Sequence, residues 1–230
     1  MDNIKLIEEL TRGQNDNLLW YECRKGVISA SKGHEVKTKM AKVIAGQGGY
    51  IKMFGICQKI SGYSYVSPDI PALKYGREME SIAANHFLET FKRCHKNVSL
   101  ADCGLFLEKK NPFIGASPDR IVSCKCHSNA CLEIKCPYSI SHLSPTDPSV
   151  KLDYIKRSEN GTITLKKSHK YYTQCQQQMG VTGLKKCYFF IWTSHGHVLE
   201  EIDFDEFFFK SLLESFSKFY RQYYLKSIFK

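Results

Sequence analysis

The stretch GASPDRIVSCKCHSNACLEIKCP, residues 115–137, decides the fold and raises its main question. Its tail, CLEIKC, alternates in the manner of a short buried strand, with apolar side chains on one face. Glu133 and Lys135 must then share the opposite face. Core packing gives no reason for an acid and a base side by side, and an isolated Asp119 stands just upstream. The combination needs a chemical explanation.

These three side chains suit a site for a hard divalent cation. Mg²⁺ prefers carboxylate oxygens and keeps several waters, so an Asp at a strand end and a Glu on a neighbouring strand can hold it at a sheet edge. Lys135 would project into the same pocket, where it can orient or help deprotonate a water during phosphodiester hydrolysis. The alternative is an exposed Glu–Lys pair, which is the usual meaning of a lone E-x-K. The apolar opposite face and the SPD at hairpin distance favour the metal site.

The composition is that of a folded, basic protein. A length of 230 residues suits one large domain, and 43% hydrophobic and 13% aromatic residues exclude disorder over most of it. The net charge of +10 favours a polyanionic partner, with nucleic acid ahead of an acidic membrane surface. No apolar run approaches the ~20 residues that span a bilayer, and the charged N-terminus lacks a signal core. We therefore expect an intracellular protein of the cytoplasm or nucleus, with its ten cysteines reduced.

Residue periodicity predicts one α/β domain over residues 1–230, with a mixed central β-sheet flanked by helices. Residues 1–45 are expected to be a helical N-terminal part in which Ser31 caps a helix, and residues 46–71 a loop. The catalytic core is expected over residues 73–204, before a C-terminal helix over 205–230. The core is predicted to contain a helix over 73–92, strands over 98–108, 113–116, 120–124 and 131–136, a long polar connection over 144–167, a helix over 168–181, and a hairpin of 187–193 with 198–204.

The helix over residues 73–92 directs one acid toward the core. At 100° per residue, Glu80 falls on the apolar face with Ala83 and Phe87, whereas Glu78 falls on the polar face. An acid on an apolar face is costly unless it is paired or bound to metal. Glu80 is therefore predicted to reach the metal site. The alternative is a glutamate at the helix edge that reaches solvent.

The chain resembles the PD-(D/E)xK nucleases, and more narrowly the phage lambda exonuclease branch, the YqaJ-type viral recombinase nucleases. SPD…LEIKCP carries the general signature. Four further stretches carry the narrower resemblance: WYECRKGVISAS at 20–31, YGREMESIAANHF at 75–87, YYTQCQQQMGVTG at 171–183 and CYFFIWT at 187–193. They stand in the order of the family along nearly the whole chain. The resemblance implies a restriction-endonuclease-like core with added N-terminal and C-terminal helices.

The resemblance also implies a centre for Mg²⁺, with Mn²⁺ as a substitute. It assigns four metal ligands: Asp119, Glu133, Glu80 and the Ile134 carbonyl. Lys135 would activate water. The chain departs from the family at Arg120, which follows the metal-binding aspartate where relatives usually have glycine. Arg120 would either add a phosphate contact or pack outward.

Two further groups of residues take roles from the resemblance. Gln174 would position a water or phosphate beside the metal, with Gln176 as a secondary candidate, although composition alone would place this glutamine cluster on an exposed helix face. Arg24 and Ser31 would hold the 5′-phosphate of a DNA end. A guanidinium and a hydroxyl near a helix start are chemically suited to that task.

The turn between the two carboxylate strands holds four potential zinc ligands: Cys124, Cys126, His127 and Cys131. Their spacing is not that of a standard zinc finger, so a cysteine-rich turn without metal is the favoured interpretation and zinc the alternative. An iron–sulfur cluster is not expected, because only Cys175 and Cys187 lie near the C-terminus, where related nucleases place three cysteines.

The function implied is 5′→3′ degradation of one strand of linear duplex DNA in support of recombination. A single-strand annealing protein and a ring-shaped homotrimer are the implied partners, and no membrane partner is expected. Two alternatives remain: an endonuclease module of a mobile element or defence system, and a non-catalytic DNA-binding domain. The intact set of carboxylates with Lys135 argues against the second.

Overall fold

The structure is a computed structural model that describes residues 3–63, 67 and 69–229, without the side chains of residues 50–52. The helices are α1 (Asn3–Leu10), α2 (Leu18–Cys23), α3 (Ala30–Ile44), α4 (Tyr50–Ile60), α5 (Pro71–Lys92), α6 (Lys170–Thr182), α7 (Glu206–Phe219) and α8 (Leu225–Ile228). The strands are β1 (Ile28–Ser29), β2 (Ser99–Asp102), β3 (Phe106–Leu107), β4 (Ile114–Ala116), β5 (Arg120–Ser123), β6 (Ala130–Lys135), β7 (Ile155–Arg157), β8 (Ile163–Leu165), β9 (Lys186–Thr193) and β10 (Gly196–Asp203).

The central sheet has five strands in the order β10-β9-β6-β5-β2. Strands β6 and β9 are parallel, and the other neighbouring pairs are antiparallel. The sheet is therefore mixed, as the sequence predicts. The parallel pair needs a long crossover, and α6 lies within it. This crossover carries the glutamine cluster back across β6.

Each face of the central sheet is covered by one long helix. Helix α5 packs Ala83, Ala84, Phe87 and Phe91 against one face, together with Leu132 and Ile134 of β6. Helix α6 packs against the other face, beside Cys131 of the same strand. Side chains of β6 thus alternate between the two helices, as the CLEIKC pattern requires. Glu133 and Lys135 consequently lie on the α6 side.

A second layer surrounds this core. Strands β1, β4 and β3 form a three-stranded sheet in which β1 and β4 are parallel. Helices α3, α4 and α7 share an apolar cluster that includes Val36, Ile56 and Phe216. Residues 220–224 continue α7 as a π-helical turn before α8, so the single C-terminal helix predicted over 205–230 is interrupted.

Four sequence predictions about the elements need correction. The predicted loop 46–71 contains α4, because Met53, Ile56 and Ile60 bury one face of that segment. The predicted connection 144–167 contains the β7–β8 hairpin. Helix α3 begins at Ala30, so its N-cap is Ser29 and not Ser31.

The fourth correction concerns the strand predicted over 98–108, which splits into β2 and β3 around Gly104. A Cβ on Gly104 would lie 1.9 Å from the Glu8 carbonyl oxygen, and the Gly104 N–H donates to the Glu8 carboxylate over 3.0 Å. Helix α1 therefore packs against the chain at Gly104 and occupies the position that a neighbouring strand would need.

Candidate active site

Three carboxylates from different elements meet beside the central sheet. Glu80 comes from α5, Glu133 comes from β6, and Asp119 stands directly before β5. Antiparallel pairing of β5 with β6 brings Asp119 to β6, where the Ile134 N–H donates to its Oδ2 over 2.6 Å. Together with Lys135, the three acids line a cavity of about 300 Å³. The prediction that Glu80 rather than Glu78 reaches this cavity agrees with the structure, because Glu78 is exposed and pairs with Lys74.

The three carboxylates lie so close together that ionising all of them is unfavourable. Burial, followed by the charges of Glu133 and Glu80, raises the pKa of Asp119 well above its usual range. Burial also raises the pKa of Glu80, even though the Arg120 guanidinium beside it acts in the opposite direction. Such a cluster of hard oxygen donors fits a divalent cation, which would offset the repulsion. The cavity wall also includes Ile134, the residue whose carbonyl was predicted as a ligand.

Glu133 is fully buried and held from three directions. Gln174 donates to its Oε1 over 2.6 Å, Gln178 donates to its Oε2 over 2.6 Å, and the Lys135 ammonium pairs with Oε1. A buried carboxylate keeps one orientation when each oxygen has its own donor. Gln174 therefore lies where the sequence predicts it, and Gln178 is a partner that sequence reasoning missed. The signal was present, because residues four apart share one face of a helix.

The rest of the glutamine cluster supports the fold. Gln176, Gln177 and Gln178 are each 0% exposed, so the expectation of a solvent-facing cluster is wrong. Gln177 donates to the carbonyls of Ile28 and Gly115 and bridges the two parallel strands β1 and β4. Gln176 bonds the backbone of residues 203 and 205 at the end of β10. Gln176 is thus engaged away from the carboxylates, contrary to its candidate role in the site.

Lys135 is a half-buried ammonium beside these carboxylates. Burial would lower its pKa, but the charges of Glu133 and Asp119 outweigh that effect and raise the pKa above its ordinary value. Its Nζ also lies 4.6 Å from the centre of the Tyr171 ring, within cation–π range. A charged, oriented lysine between two acids can hold or deliver a proton at the mouth of the cavity.

Arg120 points toward the site and pairs with one of its carboxylates. Its guanidinium lies 3.3 Å from the Glu80 carboxylate and 3.1 Å from that of Asp102, and it donates to the Asp119 carbonyl over 2.5 Å. The outward packing considered for this residue is therefore wrong. Where most relatives are expected to have glycine, this chain carries a cation that pairs with a predicted metal ligand.

The predicted end-binding residues lie around α2 and the start of α3. Arg24 stacks on the Trp20 ring at 3.8 Å, and burial lowers its pKa to about 10. The Trp20 indole N–H donates to Ser117 Oγ over 2.9 Å, which ties this element to the SPD loop. Ser31 is exposed, with its Oγ 3.2 Å from that of Ser29.

Lys32 is a second half-buried cation of this region, and sequence reasoning missed it. Burial, the charge of Arg24 and the charge of Lys59 lower the pKa of Lys32 to about 8. Because the charge of Arg24 acts on Lys32, the two cations lie close enough to serve one anion. The residue had no distinctive motif, because its environment depends on how α3 packs beside α4, where Lys32 donates to the Lys59 carbonyl.

The predicted zinc set does not come together. Cys124, Cys126 and His127 lie in the β5–β6 turn. Cys131 is 0% exposed and faces α6, with its Sγ 3.6 Å from Thr182 Oγ1. Strand alternation points Cys131 into the core, so it is removed from any zinc site at the turn.

Fold and site together define a class: an α/β protein with a restriction-endonuclease-like core and a carboxylate cluster at its central sheet. Residues 19–185 match the sequence profile of the YqaJ-like viral recombinase domain. The chain belongs to this family. No curated protein matches the sequence. Within the described residues, no helix is both long and apolar enough to cross a membrane.

Solved structures show the same fold. The alkaline exonuclease LHK-Exo from Laribacter hongkongensis, in complex with dAMP, matches with 23% identity and a TM-score of 0.60 over 88% of this chain and 90% of that chain. The Shutoff and Exonuclease Protein of Kaposi's sarcoma-associated herpesvirus matches with 14% identity and a TM-score of 0.63 over 95% of this chain and 71% of that one. A SOX–DNA complex matches with 15% identity and a TM-score of 0.59, over 96% and 71% of the two chains.

Proposed function

We propose that the protein is a metal-dependent deoxyribonuclease that degrades linear duplex DNA from the 5′ end during recombination. The observation that carries the proposal is the convergence of Glu80, Asp119 and Glu133 with Lys135 in one cavity. Membership of the YqaJ-like viral recombinase family supports it, as do the structural relatives described as exonucleases. The net charge of +10 suits a nucleic-acid substrate.

Six residues that line the cavity have roles in the proposed hydrolysis. Asp119, Glu133, Glu80 and the Ile134 carbonyl would hold Mg²⁺, or Mn²⁺ in its place. The bound cation would supply charge stabilisation for the phosphodiester and a more acidic water. Lys135 would hold the water and assist the transfer of its proton, because the lysine is charged and lies beside Glu133. Gln174 would keep Glu133 oriented.

The direction of digestion would come from the end-binding residues. Arg24 and Lys32 are both partly desolvated, so a phosphate dianion would find two cations with little competing water. Ser31, exposed at the second residue of α3, would add a hydroxyl. This arrangement favours an end with a 5′-phosphate and therefore 5′→3′ progress. A ring-shaped trimer and an annealing partner complete the proposal on the strength of the family resemblance alone.

The test compares linear and closed-circular duplex DNA, with Mg²⁺, with Mn²⁺ and with a chelator. We expect digestion of the linear form only, and only with metal. Asp119→Ala and Glu133→Ala should abolish it, whereas Lys135→Ala should lower the rate by orders of magnitude and leave Mn²⁺ binding measurable by calorimetry. Nicking of circles would favour the endonuclease alternative. Full activity in both carboxylate variants would refute the nuclease assignment.

A further inference from the structure

A second cluster of metal-binding side chains lies at the tip of the β5–β6 hairpin. A ring nitrogen of His95 and the Sγ atoms of Cys124 and Cys126 all lie within 4.8 Å of one another. Ligands of a tetrahedral zinc ion are about 3.5–3.8 Å apart, given Zn–S and Zn–N bonds of about 2.3 and 2.0 Å. Small side-chain rotations would therefore bring all three onto one ion.

A fourth candidate ligand, His127, lies beside Cys124. His127 Nδ1 lies 3.8 Å from Cys124 Sγ, and the His127 ring centre is 5.0 Å from that of His95. Two thiolates and two imidazoles are a ligand set that zinc commonly takes in structural sites. Sequence reasoning placed Cys131 in this set, and the structure puts His95 in its stead.

The surroundings hold the ligands ready for a metal. The His95 ring stacks on Phe91 at 3.8 Å with an angle of 11° between the rings, which limits its rotation. Its Nδ1 is nonetheless buried without a hydrogen-bond partner, which is costly for a polar atom. The Lys96 N–H donates to Cys126 Sγ over 3.3 Å, which holds this sulfur beside the segment that carries His95. A bound ion would give the His95 ring a polar partner, and the other two contacts hold the ligands in place for it.

We propose that His95, Cys124, Cys126 and His127 bind one structural Zn²⁺ that joins the end of α5 to the β5–β6 turn. Binding would release the two thiol protons and use neutral imidazoles. The ion would stand far from the carboxylates, because α5 continues for twelve residues from Glu80 to its end at Lys92, or about 18 Å of helix, and His95 lies beyond that end. Its role would be to fix α5 against the hairpin, since these elements carry Glu80 and flank Asp119 and Glu133.

The experiment measures metal in the full chain purified under reducing conditions. Metal analysis after a chelator wash should give about one zinc per wild-type chain. Co²⁺ exchanged into the site should show the thiolate charge-transfer absorption that carboxylate ligands do not give. Cys126→Ser and Cys124→Ser should each reduce retained zinc at least tenfold, and His127→Ala should retain zinc that a chelator removes faster than from the wild type.

Cys94→Ser is the matched control. Cys94 precedes His95 and is exposed, but it is not among the clustered ligands, so its loss should leave zinc content unchanged. To cover variants that do not fold, a thiol-modifying mercurial is titrated into the wild-type protein and should release zinc as the cluster thiols react. The proposal is overturned if the wild type holds no zinc, if its zinc persists in Cys126→Ser but is lost in Asp119→Ala, or if a disulfide is found at Cys124 or Cys126.

Discussion

Substitution of Gln178 by leucine should weaken the active site more than it weakens the fold. Gln178 is fully buried, and its amide donates to Glu133 Oε2 over 2.6 Å. Leucine has a similar size and no donor, so Glu133 would keep Gln174 and Lys135 on one oxygen and lose the donor to the other. The carboxylate would then be free to rotate about the remaining contacts.

The size of the effect follows from the type of bond. A hydrogen bond to a charged group contributes about 1.5–3 kcal/mol, which is roughly ten- to a hundredfold at about 1.4 kcal/mol per factor of ten. Partners that orient metal ligands cost about the same range in affinity or activity when removed. Stability should fall less than in the Gln176 control, because the cost of leaving Glu133 Oε2 without its donor is partly offset by removal of the Gln178 Oε1, which is buried without a partner.

Gln176→Leu is the matched control on the same helix. Gln176 is equally buried, but it donates to the Asp203 carbonyl and accepts from the Asp205 N–H. Its loss should leave two backbone groups unpaired at about 1–3 kcal/mol each and lower the unfolding temperature, with the metal site intact. Calorimetry with Mn²⁺, the digestion rate at fixed metal and thermal unfolding would be measured for both variants. Wild-type affinity and rate in Gln178→Leu, or equal losses in the two variants, would refute the reasoning.

Three further outcomes are expected. Asp119→Asn should raise the unfolding temperature of the metal-free protein at neutral pH and remove its stabilisation by Mn²⁺, because burial and the charges of Glu133 and Glu80 raise the pKa of Asp119 and its ionised form destabilises the fold. The stability advantage of the variant should shrink as the pH falls through that raised pKa. An unchanged unfolding temperature would contradict this. Arg24→Ala should slow digestion of 5′-phosphorylated ends roughly ten- to a hundredfold and of 5′-hydroxyl ends far less, since a charged hydrogen bond contributes about 1.5–3 kcal/mol. Lys25→Ala is the control and should leave both rates unchanged. Equal losses on both ends would make Arg24 a general DNA contact. The preference for phosphorylated ends, measured as the ratio of kcat/KM on the two kinds of end, should decline as the pH rises through about 8, where Lys32 loses its proton. Lys32→Gln should make this ratio independent of pH in that range. A wild-type ratio that does not change with pH would exclude Lys32 from phosphate binding.

Local patterns in the sequence were enough for the central sheet and for one half of the site. Strand alternation determined that Glu133 and Lys135 share a face, and helical periodicity separated Glu80 from Glu78. Both patterns depend on residues two to four apart, where backbone geometry alone decides the direction of a side chain. The same reasoning failed for the segment of α4, whose glycines and polar residues hid a buried face of Met53 and Ile60.

The tertiary structure alone decided which distant residues complete the sites. Gln178 meets Glu133 across 45 residues, Arg120 meets Glu80 across 40, and the Lys96 N–H meets Cys126 across 30. No local periodicity relates such pairs, because their contact depends on how α5 and α6 pack against the two faces of one sheet. The sequence by itself determined the chemistry of the carboxylates and the lysine. The packing of helices on the sheet decided which neighbours orient, neutralise and join them.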